Sequence, residues 1–331
     1  MLQNNQKGFT LLELLVVITL LATLSVGALV AYEGIGENAS NVAAANNIKV
    51  ADSSIRAYRA FNSVYPNQWD NLSNLSGETG VSSGGAYSTL APATRNFFGQ
   101  VDLDTADATA VEVLRSLANV GVTELQTLTS AAVLPAGLSP NEFFNESAPG
   151  VNVPADEVEW SFDAVGALDD NPGTFTLSIV TSGGDVADNA NGNCTLAGSA
   201  TNLALNFEGV AELGEGTLGA SRKLNRINDN LDSDVCHLVV AVGFGKDVPG
   251  TTLGSPVAIG TAPTYTNGNI VNPSIHYARY IALFHVGSDD EDNANGTIES
   301  DEILPSARLL AVVDTEGRNI DTAIAGAFAS N

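Results

Sequence analysis

Basic residues are scarce in this 331-residue chain: 13 Lys and Arg stand against 38 Asp and Glu, for a formal net charge of −25. A surface of that sign repels polyanions, which disfavours nonspecific binding to nucleic acid or anionic lipid. Histidine is scarcer still. His237, His276 and His285 are the only three, and none stands in a short zinc-binding spacing. No phosphate-binding loop occurs either, and the GxSxG match at Gly80-Val81-Ser82-Ser83-Gly84 falls in a Gly- and Ser-rich loop without the strand and helix that a nucleophile elbow needs. Catalysis is therefore not expected, and each histidine reads as a strand or edge residue. Proline is absent before Pro66, so nothing of that kind interrupts the first 65 residues.

What fills those residues is apolar. From Phe9 to Tyr32 the only charge is Glu13, and at about 1.5 Å per helical residue the segment reaches about 36 Å, more than the about 30 Å hydrocarbon core of a bilayer. An ordinary secretory signal has a shorter apolar stretch followed by a small-residue cleavage site, whereas here a short polar leader, Met1 to Lys7, precedes a longer run. Helical spacing continues through Ile35, Val42, Ile48, Ala51, Ile55 and Tyr58, predicting one helix from about residue 10 to about residue 62. Its second half would lay an apolar stripe on a folded domain. Gly27, Gly34 and Gly36 are the expected bending points. Residues 33–39 fit a GxGxxA dinucleotide fingerprint, but the preceding run is a helix-length span and not a short strand, so that reading is rejected.

The hexad Gly8-Phe9-Thr10-Leu11-Leu12-Glu13 resembles the class III signal of type IV pilins and type II secretion pseudopilins. The resemblance implies that a membrane prepilin peptidase cuts between Gly8 and Phe9 and methylates the new Phe9 amine. Residues 1–8 would then be leader, 9–62 the pilin helix with 9–32 in the membrane and later in the filament core, and 63–331 an extracellular globular part. Glu13 would neutralise the Phe9 amine of a neighbouring subunit. A carboxylate within a membrane helix costs about 2.5 to 3.5 kcal/mol on insertion scales, so it calls for such a partner. Tyr65-Pro66-Asn67-Gln68-Trp69 resembles the Tyr-Pro segment that often follows this helix, with Tyr65 and Trp69 as a plug beneath its end.

A domain exported by this route meets oxidising conditions, so Cys194 and Cys236 are expected to form one disulfide. The other use, a metal pair of Cys236 and His237, has no further ligands at a recognisable spacing. Residues 291–302 match a twelve-residue EF-hand-type loop with Gly296 at position 6 and Ile298 at position 8. Its ligands to a structural Ca²⁺ would be Glu291, Asn293, Asn295, the Thr297 carbonyl, Glu299 and a bidentate Glu302. Glu291 stands where the motif asks for Asp, which can pass that role to Asp289 or Asp290. Asp188-Asn189-Ala190-Asn191-Gly192 repeats the core of this loop without the following Ile and Glu, and reads as a turn.

Between these landmarks, helices are expected over residues 106–119, capped by Asp104 or Thr105, and over residues 123–132. A hairpin is expected from the alternations at 158–162 and 175–179, with strands at 203–207, 238–244, 277–286 and 308–314. The fold class is α+β: a long N-terminal helix on an antiparallel sheet with further helices and long loops. The function the resemblance implies is a structural subunit of a type IV pilus-like filament. The alternatives are a type II secretion pseudopilin and a minor-pilin adhesin. Expected partners are other pilin subunits, the prepilin peptidase and the inner-membrane assembly machinery. The chain would start as a single-pass inner-membrane protein and end in an extracellular filament or a periplasmic pseudopilus.

Overall fold

The computed structural model describes residues 10–74, 85–128, 155–182, 194–208, 235–245, 271–289 and 295–329, with Pro140, Phe144, Leu224, Ile227, Asn228 and Leu231. One helix dominates it. Helix α1 (Leu11–Asn62) runs 52 residues and stays helical through all three glycines. Thr10 caps its start, and Ser63 ends it in the left-handed region (φ 64°) by donating its N–H to the Arg59 carbonyl at 2.8 Å. Pro66 follows at once, and the chain cannot re-enter the helix.

An eight-stranded sheet receives the second half of α1. Its strands are β1 (Trp69–Asn74), β2 (Phe98–Asp104), β3 (Glu124–Leu128), β4 (Ala155–Glu159), β7 (Thr174–Val180), β9 (His237–Phe244), β10 (Tyr280–Ser288) and β12 (Ile303–Val313). Their main path is β12-β10-β9-β1-β3-β4, and it forks at β9, which hands Val242 and Gly243 to β1 but Val239 and Val240 to β7, itself paired to β2. The sheet is mixed, because β1 and β3 run parallel while the other pairs are antiparallel. Small ribbons form from β5 (Ser161–Phe162) with β6 (Leu168–Asp170), and from β8 (Thr195–Leu196) with β11 (Thr297–Ile298).

Both faces of the central strands are covered, which is why β9 and β10 read as mostly apolar runs. Leu238, Val240, Val242 and Phe244 of β9 face Ile48, Ala51 and Ile55 of α1, together with Val113, Leu114 and Leu117 of α4 (Ala108–Ala118). Val239 and Ala241 face a second core built from Tyr87 of α2 (Gly85–Thr89), Leu90, Phe207, Leu224, Leu231 and Tyr277. A short α3 (Pro92–Phe97) leads into β2. Tyr65 and Trp69 form the expected plug: both pack edge-on to Phe284 at 5.0 and 5.6 Å, and the Trp69 Nε1–H donates to the Pro66 carbonyl. Helix α5 (Ile320–Ala329) closes the chain. Its first turn lines a cleft with Asp52 and Arg56, and Gly326 faces Asn41, so it lies antiparallel to α1 and runs back toward the apolar span.

Several expectations are corrected. Residues 124–128 are strand β3 and not helix, because Leu125 enters the main core while β1 and β4 flank the segment. The expected hairpin does not form: β4 pairs with β3, and β7 pairs with β2 and β9. Residues 203–207 make turns and isolated bridges. Helix α4 is capped by Asp107, whose carboxylate accepts from the Thr109 N–H at 2.8 Å, and not by Asp104 or Thr105. Strands β1 and β2 and helix α5 had no counterpart in the sequence reading.

Candidate functional site

At the chain's start, Thr10 and Glu13 form a reciprocal capping box. The Thr10 N–H and hydroxyl both donate to Glu13 Oε2 at 2.9 Å, and the Glu13 N–H donates to Thr10 Oγ1. Glu13 thus satisfies orphan amides at the head of its own helix. Gly8 and Phe9 lie outside the described residues. From Leu11 to Leu29 the helix offers nineteen residues, long and apolar enough to cross a membrane, and the fold buries none of them. Beyond the span, Val42, Val50 and Phe61 are exposed on the side of α1 opposite Ile48, Ala51 and Ile55; Phe61 is 89% exposed.

A second cluster surrounds the disulfide. Cys194 and Cys236 are bonded, with Cα atoms 5.6 Å apart, and both are fully buried. The Asp289 N–H donates to the Cys236 carbonyl at 3.0 Å, and the Thr195 N–H donates to the Gly296 carbonyl at 2.8 Å. Asp289 Oδ2 accepts from the Gly296 N–H at 2.9 Å. One end of the acidic loop is therefore tied to Cys236 and the other to Thr195, the neighbour of Cys194. Of the six candidate ligands, Glu291 and Asn293 lie outside the described residues, as does the repeat at 188–192. Asn295 Oδ1 accepts from the Thr297 N–H at 2.7 Å, and Thr297 sits in β11. Glu299 and Glu302 come together, capping a single 3₁₀ turn (Ser300–Glu302) in which Glu302 Oε2 accepts from the Glu299 N–H at 2.7 Å. That turn runs straight into β12, so the loop links two strands and not two helices.

The sequence reading missed a carboxylate trio. Glu124 of β3 and Glu157 and Glu159 of β4 bring oxygens within 4.8 Å of one another. Burial first, and then the charges of Glu157 and Glu159, push the Glu124 carboxyl above its ordinary range against a hydrogen bond from Gln68. Glu157 and Glu159 share one face of β4 by strand alternation, but only the β3–β4 register brings Glu124 opposite Glu159. Since β4 is an edge strand, these charges also discourage another strand from adding there.

His237 and His285 are buried on adjacent strands with ring centroids 5.2 Å apart, and an Arg308 Nη lies 3.4 Å from His285 Nδ1. Burial, then His237, then Arg308 lower the His285 pKa to about 4. The neutral ring is the folded form, so its contribution is intact above the unfolded value near 6.5 and is lost as pH falls toward 4. Relative to His285→Gln, the wild type is expected to lose about 3 kcal/mol of stability between pH 7 and pH 4. Urea unfolding followed on the buried Trp69 and Trp160 measures this. Parallel pH profiles for the two proteins would refute it.

The family model of the prokaryotic N-terminal methylation motif matches residues 3–29. No curated protein and no solved structure matches the chain. An N-terminal methylation motif on an exposed apolar helix, continued into a mixed α+β fold, fits a membrane-anchored precursor. The N-terminal segment carries the class III prepilin signal found in the type IV pilin and pseudopilin family.

Proposed function

We propose that the chain is a structural subunit of a type IV pilus-like filament, cut between Gly8 and Phe9, methylated on Phe9 and polymerised through α1. The observation that carries this reading is the naked span Leu11–Leu29 with Glu13 at its head. Lipid covers such a surface before assembly, and neighbouring copies of the same helix cover it afterwards. The exposed Val42, Val50 and Phe61 extend that apolar side beyond the bilayer. Electron microscopy of purified filaments, with mass spectrometry of the subunit's N terminus, tests it: methylated Phe9 in a dominant band is expected. An intact Met1 terminus, or absence from filaments, would overturn it.

The second reading is a type II secretion pseudopilin, favoured by the calcium-type loop. Ca²⁺ binding there is part of the same proposal, with a structural role. What supports it is the pairing of Glu299 with Glu302 and the fit of Asp289, whose carboxylate reaches Gly296 and so can take the place that Glu291 fills poorly. Calorimetry on the full chain in detergent should show saturable Ca²⁺ binding, weakened about tenfold or more in Glu302→Ala. Unchanged binding in that variant would remove the loop from the reading.

A further inference from the structure

We propose that Asp289 protects the Asn295–Gly296 linkage from deamidation. Asn-Gly is a hazardous dipeptide: after losing its proton to hydroxide, the glycine nitrogen attacks the Asn side-chain carbonyl carbon, unhindered by any Cβ. The new N–C bond closes a succinimide as ammonia leaves, and water then opens the ring to Asp or isoaspartate. Neither residue can easily be exchanged here. Gly296 holds φ +76°, a conformation that costs a side-chain-bearing residue dearly. Asn295 makes the turn by accepting the Thr297 N–H on its side-chain oxygen at 2.7 Å, and it is exposed to water.

The attacking atom is restrained instead. The Gly296 N–H points at Asp289 Oδ2, 2.9 Å away, and Asp289 is 2% exposed. A carboxylate acceptor opposes loss of that proton and holds the nitrogen away from the Asn295 side chain. The Gly296 carbonyl is fixed in turn by the Thr195 N–H at 2.8 Å. The restraint guards the disulfide cluster as well, because isoaspartate would insert a methylene into the main chain. That would pull Gly296 off Thr195, beside Cys194.

The test incubates the full chain in detergent at mildly alkaline pH and follows residue 295 by peptide mass spectrometry. A hydrogen bond to a charged group keeps an amide closed by about tenfold or more, so native protein should deamidate at least that much more slowly than the same chain reduced and unfolded in urea. Asp289→Ala should approach the unfolded rate, and Asp289→Asn should fall between. Equal native and unfolded rates would overturn the proposal. So would an Asp289→Ala protein with intact disulfide and native tryptophan fluorescence that deamidates as slowly as wild type. If Asp289→Ala does not fold, hydrogen exchange at the wild-type Gly296 amide decides: protection supports the restraint, and exchange at the free rate overturns it.

Discussion

Glu13→Ala is expected to yield a precursor that inserts, is cut after Gly8 and is methylated, yet does not build filaments. Losing the cap at Thr10 costs the helix only about 1 kcal/mol, and removing a charge from the apolar span does not hinder insertion. The monomer therefore survives. Assembly does not, because the Phe9 amine of an adjacent subunit would enter an apolar environment without its counter-charge, at about 3 to 5 kcal/mol per contact. Glu13→Gln separates the two roles, since glutamine can keep the reciprocal capping bonds but carries no charge. Mass spectrometry of the N terminus and electron microscopy read the outcome. Wild-type filament yield from Glu13→Gln would sink the charge-pairing account.

Replacing both cysteines by Ala should cost about 4 kcal/mol, the loop-closure value for a sequence separation of 42 residues. Alanine is preferred to serine because both sites are fully buried and a hydroxyl there would need a partner. The loss should be felt beyond the bond itself. Thr195 and Cys236 carry the hydrogen bonds that hold Gly296 and Asp289, so the short β8–β11 ribbon should open well before the main sheet. Urea midpoints followed by tryptophan fluorescence measure the global effect, and hydrogen exchange in residues 295–298 the local one. A double variant with the wild-type midpoint would refute the assignment of this energy to the disulfide.

How much of the molecule was legible depended on the range of the interactions that fix each part. The motif at Gly8 to Glu13 and the helix after it are local patterns, so both could be read. The apolar runs of β9 and β10 were legible because each is buried on both sides. Strand β1 was not, since Trp69-Asp70-Asn71-Leu72-Ser73-Asn74 is mostly polar and finds its partners far along the chain. Asp70 Oδ2 accepts from Tyr277 and from Arg279 at 2.7 and 3.0 Å, while Asn71 donates to the Thr176 carbonyl at 2.7 Å. Strand β3 was misread for the same reason: Glu124-Leu125-Gln126-Thr127-Leu128 has tolerable helix propensity, and tertiary pairing overrides it. At the disulfide cluster the cysteine pair and the loop were visible, but not that Asp289 and Thr195 tie one to the other.

The antiparallel packing of α5 on α1 sets when this protein can fold. Arg56 reaches the Leu310 carbonyl across a separation of 254 residues, and Gly326 meets Asn41 from still farther along the chain. Helix α1 thus receives part of its cover from segments far along the chain. Contacts of such high order are slow to form. A chain truncated before Ile303 lacks both the edge strand β12 and α5, and leaves the Asn41 and Arg56 side of α1 without that cover. Such a truncated chain is expected to expose apolar surface and to be open to proteolysis.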